Sequence, residues 1–266
     1  MSQKFKHIIW KYYQEQGRDF PWRRTHDPYA ILVSEIMLQQ TQTDRVIGFY
    51  DNFLKTFPNF RALAHASVAD VLRVWQGLGY NRRALMLRET AIIVTKEYHG
   101  ALPQSFDILK TLPGIGPCTA GAVAAFAFGK PTTFIETNIR AVYIHFSFPR
   151  RKKVHDNELL PIIEKTVDQK NPREWYYALM DYGVMLKKKY KNPSRKSAHH
   201  TQQSRFRGSN REVRGAILKA LVVHSKLATH DLFKKFDFDH ERILKNVAKL
   251  KEEGFIKKQG AHLVLA

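Results

Sequence analysis

From residue 30 to residue 186, apolar side chains recur at three- and four-residue spacing between short polar breaks, with no sustained alternation. That pattern predicts a run of helices without strands. Residues 81–99 show it well: Ala84, Leu87, Ala91, Val94 and Tyr98 mark one face, and Gly100 supplies the stop. Arg82, Arg83, Arg88 and Glu89 lie mostly off that stripe. An all-α domain over residues 1–186 follows.

The pattern changes at Lys187. Residues 187–211 hold no acidic side chain and almost no large apolar one, which is the composition of a linker and not of a core. A solvated tether and a phosphate-contacting arm fit this basic run equally well. Beyond it, residues 212–223, 229–236 and 239–253 read as helices, with Gly254 closing the third. Residues 255–258 and 262–265 read as short strands flanking Gln259-Gly260-Ala261. Three helices and a hairpin predict a small winged-helix module over residues 212–266. Its third helix offers His240, Arg242, Lys245, Asn246, Lys249 and Lys251 to a nucleic-acid groove, with a protein partner as the alternative. No internal repeat is evident.

Charge sharpens this picture. The 266 residues carry a net +20, from 44 Lys and Arg against 24 Asp and Glu, which predicts attraction to a polyanion, nucleic acid first and anionic membrane second. About +7 falls on residues 1–186, about +9 on 187–211 and about +4 on the remainder, so the excess is concentrated in the basic run. The single cysteine, Cys118, excludes a disulfide framework within the chain and a cysteine-rich zinc or iron–sulfur site. It fits a reducing compartment. The opening MSQKFKHIIWKYYQEQ, interrupted by Lys and Gln, reads as neither signal peptide nor membrane span. A soluble cytoplasmic protein is expected, nucleoid-associated in a prokaryote.

Three segments could carry chemistry. Leu112-Pro113-Gly114-Ile115-Gly116 lies between a short helix and the apolar residues 119–128. Two glycines there let backbone amides form a phosphate-binding nest at a helix N-terminus, a hairpin suited to a DNA backbone. Glu136 stands just before an apolar helix, where the helix dipole and amide donors stabilise a carboxylate; taken alone it is more often a helix-start residue than a catalyst. Glu35 is a lone acid among Leu32, Val33, Ile36, Met37 and Leu38. If that helix faces a pocket, desolvation keeps the acid protonated, as an acid catalyst requires; an exposed place on an amphipathic helix is the alternative. Two carboxylates in opposed environments suggest separate acid and stabiliser roles.

Six ordered motifs carry a resemblance. Pro21-Trp22-Arg23, Pro28-Tyr29, SEIMLQQTQ from Ser34, Trp75-Gln76-Gly77-Leu78-Gly79-Tyr80, LPGIGPCTAGAV from Leu112 and IETNIR from Ile135 together resemble the MutY-type adenine DNA glycosylases of the helix-hairpin-helix superfamily. The resemblance runs over roughly residues 1 to 186 and implies that superfamily's all-α fold, followed here by the small winged-helix module. It also implies excision of adenine from mispairs opposite 8-oxoguanine or guanine in duplex DNA; separately, a monomer without any membrane role is expected.

In that family Glu35 stands at the general acid that protonates adenine N7. Glu136 occupies the place of an aspartate whose anion stabilises the oxocarbenium-like sugar, and Asn138 matches the asparagine beside it. Gln39, Gln40, Thr41 and Gln42 match the segment that wedges into the duplex when the target nucleotide flips. Leu78 and Tyr80 match the loop around the opposite base, and Trp22, Arg23, Tyr29 and Cys118 complete the expected pocket and wedge. Leu112, Gly114, Ile115, Gly116, Lys187, Lys188 and Lys189 are expected on DNA phosphates. Arg82 and Arg83 fit phosphate contacts or solvated helix positions equally well.

The chain also departs from the family. Cys118 falls where bifunctional relatives have a Schiff-base lysine, so a monofunctional enzyme leaving an abasic site is expected. Glu136 is one methylene longer than the family aspartate, against catalytic tolerances of order 0.5 Å. The four cysteines that hold an iron–sulfur cluster in most relatives are absent, with Lys187 onward in their place, so no cofactor and no metal are expected. The winged-helix module is expected in place of the 8-oxoguanine-sensing C-terminal domain of many relatives, and Asn81 replaces a second aromatic after Tyr80. Two further readings follow: the same scaffold acting on hypoxanthine or on mismatched thymine or uracil, and a catalytically inactive lesion-binding protein.

Overall fold

The computed structural model describes residues 3–266, and helices dominate them. In chain order the helices of the first part are α1 (Gln3–Gln16), α2 (Pro28–Leu38), α3 (Thr43–Thr56), α4 (Phe60–His65), α5 (Val68–Trp75) and α6 (Arg82–Glu97). Then come α7 (Phe106–Leu109), α8 (Pro117–Phe128), α9 (Thr137–Ser147), α10 (Asp156–Thr166) and α11 (Pro172–Lys189). The C-terminal part runs α12 (Asn210–His224), β1 (Lys226–Ala228), α13 (Thr229–Lys235), α14 (His240–Glu252), β2 (Ile256–Gln259) and β3 (His262–Leu265). Contacts divide the chain into two compact units: one up to Ile36 together with Leu102–Gln202, the other Met37–Ala101 with Gln203–Ala266.

The first unit is held by an aromatic core. Phe5 of α1 packs edge-on to Trp175 of α11 and against Tyr143 of α9, and Phe126 of α8 stacks on Tyr177 at 4.4 Å. Helix α8, PCTAGAVAAFAF, is apolar on every side and buried from Thr119 to Phe126, as expected of a core helix. Its small residues permit close approach: a Cβ on Gly121 would meet the Phe134 Cβ at 2.6 Å. The short α7, the turn at Gly114 (φ +76°) and α8 form the helix-hairpin-helix read from LPGIG.

The second unit joins α3–α6 to the C-terminal module. Serine and asparagine caps start its short helices; Asn59 accepts from Ala62 N at 2.9 Å and Ser67 from Asp70 N at 3.0 Å. In α6 the stripe Ala84, Leu87, Ala91 and Val94 is buried as its spacing predicts. Leu72 of α5 and Leu85 of α6 share one apolar cluster with Val213, Ile217 and Leu221 of α12 and with Ile243 and Leu250 of α14. The sheet has the order β1-β3-β2 with both pairs antiparallel, and Gly260 (φ +60°) makes the turn between β2 and β3. Helices and wing match the expected module, with one addition. Strand β1 is only three residues long, too short to show an alternating pattern.

Three expectations need correction. Arg83 is no candidate for a phosphate, because it is 8% exposed and its guanidinium is spent on backbone carbonyls. Asn246 is buried on the inner face of α14, donating to the Arg242 carbonyl at 2.9 Å, and so does not face a groove. The basic run is no open tether at its start. Lys187–Lys189 end α11, and Pro193, Ser194 and Ser197 are buried where Val154 pairs with Ser197.

Candidate active site

Helix α2 reads PYAILVSEIML and is apolar all round, so nearly every position is buried and Glu35 has little water of its own. Glu35 itself is half-buried. Burial, reinforced by the neighbouring Glu136 anion and opposed by Arg23, pushes its carboxyl up to about 8. Glu35 therefore carries its proton at neutral pH.

Glu136 is the N-cap of α9. Its Oε1 accepts from Asn138 N and Ile139 N, both at 2.7 Å, and its Oε2 accepts from Asn138 Nδ2 at 3.0 Å. The carboxylate folds back over the first turn of its own helix, where free amides and the dipole favour an anion. One residue is thus both the helix-start cap and the partner of Glu35.

Arg23 lies in a one-turn 3-10 helix begun by Pro21 and is 7% exposed at its side chain. It grips Asp181 of α11 bidentately, with both N–H···O distances 2.8 Å, and stacks on Tyr177 with its guanidinium 4.3 Å from the ring centre. Arg18 adds Nε to Asp181 Oδ1 at 2.7 Å. Trp22 and Tyr29 are buried, Trp22 stacked on Phe20 at 5.1 Å. Cys118 is exposed at the start of α8, but crowding by protein and the carboxylates Glu136 and Glu35 push its thiol up to about 12, so it stays protonated. The unit therefore brings Glu35, Glu136, Asn138, Arg23 and Cys118 together.

The hairpin residues Leu112 and Ile115 are buried anchors, and Gly116 is the exposed N-cap of α8. Lys188 and Lys189 are exposed at the end of α11, whereas Lys187 is half-buried and donates to Asn138 Oδ1 at 2.8 Å and Thr137 Oγ1 at 3.1 Å. Sequence reasoning placed Lys187 with its neighbours because a charge run carries no sign of which side chain turns inward. Arg18 and Asp181 were missed as well. Their partners lie more than 150 residues apart in sequence, and only the Pro21-Trp22-Arg23 motif hinted at them.

In the second unit Arg83 ties the expected wedge segment together. Its Nη1 donates to Met37 O at 2.7 Å and Gln39 O at 2.6 Å, and its Nη2 to Thr41 Oγ1 and Gly79 O, each at 3.1 Å. Gln40 (φ +54°) turns the chain in the left-handed region and Gln42 is the N-cap of α3. Leu78 is buried, while Tyr80 (φ +47°) presents its hydroxyl to Arg211 Nη1 at 2.6 Å. Gln40–Gln42, Leu78, Tyr80, Arg211 and Arg214 line one cavity of about 1170 Å³.

A family model described as "HhH-GPD superfamily base excision DNA repair protein" matches residues 33–165. The chain belongs to this superfamily. An adenine DNA glycosylase of Mycobacterium tuberculosis is 45% identical over 132 residues, 49% of this chain and 43% of that protein. One from Buchnera aphidicola subsp. Baizongia pistaciae is 36% identical over 68% of this chain and 52% of its own length, and the Homo sapiens protein 34% over 68% and 36%. The chain thus spans about half the length of these relatives or less. Among solved structures, a thermostable thymine-DNA glycosylase shares 29% identity at a TM-score of 0.62, covering 68% of this chain and 87% of that one. An endonuclease III–DNA covalent intermediate, 17% identical at a TM-score of 0.55, shares the fold. The MutY-type helix-hairpin-helix fold expected from the motifs is confirmed.

Proposed function

We propose that the chain is a monofunctional DNA glycosylase of base excision repair. It hydrolyses the N-glycosidic bond of an adenine flipped out of a mispair with 8-oxoguanine or guanine, and leaves an abasic site. The observation that carries this reading is the pairing of a Glu35 carboxyl raised to about 8 with a Glu136 carboxylate held by three N–H donors. Glu35 gives its proton to adenine N7, the C1′–N9 bond breaks, and the base departs neutral. Positioned acid catalysis of this kind contributes roughly 10² to 10⁴-fold. Glu136 faces the positive charge that develops on the sugar, water adds at C1′, and the proton it releases returns the site to its starting state. The adenine-specific names of the relatives support the choice of base.

The enzyme works on double-stranded DNA as a monomer in the cytoplasm or nucleoid, consistent with a net charge of +20. Among the described residues no helix is long and apolar enough to cross a membrane. It needs no iron–sulfur cluster: such clusters are held by four cysteine thiolates, and this chain has one cysteine. No amine stands in the Cys118 position to open a lyase path. A second reading, thymine opposed to guanine, is favoured by the likeness to the thermostable thymine-DNA glycosylase. Duplexes holding A opposite 8-oxoguanine, G or C, hypoxanthine opposite T or C, and T or U opposite G, cleaved by alkali after incubation, separate the two. Alkali-labile sites at adenine support the first reading, sites only at T or U the second, and tight mispair binding without release a lesion-binding protein.

A further inference from the structure

We infer that Lys187 is a positioning residue of the excision site, which clamps the Asn138 side-chain amide in the one orientation that completes the hydrogen bonding of Glu136. This inference rests on the proposed role of Glu136 and Asn138 in base release. At Gly183 a Cβ would meet the Asn138 Cβ at 2.7 Å and its backbone closer still. Glycine at that point lets α11 lie directly against the first turn of α9. One helical turn later, on the same face of α11, comes Lys187.

The chemistry of the two side chains then decides the orientation. An ammonium donates and cannot accept, so the atom facing Lys187 Nζ at 2.8 Å must be the amide oxygen of Asn138. The amide nitrogen is thereby turned to Glu136 Oε2, to which it donates at 3.0 Å. A second donation from Lys187, to Thr137 Oγ1 at 3.1 Å, fixes the ammonium from the other side. Burial lowers the lysine's pKa, while the Glu136 anion opposes that loss of charge. Without the clamp the amide is free to rotate its oxygen towards a carboxylate oxygen, replacing a hydrogen bond by a repulsion. The same lysine, read from sequence as one more phosphate contact, is half-buried and engaged inward.

The test compares full-length wild type, Lys187→Met and Lys187→Arg in single-turnover base release at saturating enzyme, alongside DNA affinity over a range of salt. Lys187→Met is expected to slow the chemical step about tenfold, the size of one missing hydrogen bond, with affinity and its salt slope unchanged. Lys187→Arg, which keeps a cation and donors, restores most of the rate. A wild-type rate in Lys187→Met overturns the inference. So does weaker binding with a salt slope flatter by about 0.9, the sign of a phosphate contact.

A readout independent of activity separates this inference from the proposed function. Nuclear magnetic resonance is expected to show the Asn138 side-chain amide protons slow to exchange in wild type and in Lys187→Arg, and fast in Lys187→Met. Equal exchange in all three overturns the clamp, even should no duplex prove to be a substrate. Should Lys187→Met fail to fold, the arginine variant decides: loss of amide protection in the presence of a cation contradicts the clamp.

Discussion

Burial pushes the Glu35 carboxyl up to about 8, and the charge of Glu136 adds to that rise. Like charges in a half-buried site cannot both ionise cheaply, which supports the proposed division into acid and anion. Three N–H groups converge on Glu136, whereas Glu35 sits within an apolar helix.

The pH dependence of the chemical step follows from that division. The proposed acid, Glu35, would act in its protonated form, so single-turnover base release is expected to fall as pH rises through about 8, tenfold per unit beyond it. Glu35→Gln should abolish release while leaving duplex affinity intact. A rate that rises through pH 8 to 9 would exclude Glu35 as the acid.

Stability should respond to the same residue. In the folded chain Glu35 holds its proton up to about 8, while the unfolded chain releases it near the ordinary value of 4.5. Folding therefore takes up a proton between these limits, and stability falls as pH rises from about 4.5 to 8, by at most about 1.4 kcal/mol per unit. Glu35→Gln is expected to be more stable than wild type at pH 9 by roughly 1–3 kcal/mol and no more stable at pH 4. Urea denaturation at the two pH values measures this difference.

Asp181→Asn should destabilise strongly. Asp181 is 2% exposed and neutralises both Arg23 and Arg18, so its loss leaves a buried guanidinium uncompensated, at about 3–5 kcal/mol. A lower urea midpoint at unchanged m-value is the expected signature. A shift under about 1 kcal/mol would mean that water replaces the carboxylate.

How much of this was legible in the sequence depends on the range of each interaction. Glu35 and Glu136 could be read because their environments are local: one acid inside an apolar run, the other at a helix start. The stripe of α6 was legible for the same reason. Lys187, Arg83 and Asn246 were not. Each lies in a polar or basic stretch whose composition suggests solvent, and each is turned inward by a partner from another element or by the face its helix buries: Asn138, the carbonyls of Met37 and Gln39, and the inner side of α14. Motif and periodicity reveal elements and their apolar faces. Which long polar side chain reaches across to a backbone is decided by packing.

The exposed lysines that remain in the basic run give a separate prediction. Neutralising Lys188, Lys189 and Lys191, all exposed at or beyond the end of α11, should flatten the log-log dependence of DNA affinity on salt by about 0.9 for each phosphate no longer neutralised. Binding titrations between low and physiological salt measure the slope. An unchanged slope would assign these residues to solvent.

The proposed division of labour is tested most directly by single-turnover release of free base from a duplex holding adenine opposite 8-oxoguanine or guanine, with wild type and Glu35→Gln side by side. Release of adenine by wild type, and none above background by the variant, is the predicted result. Equal release by both proteins, or release of thymine from T opposite G with adenine untouched, would contradict it.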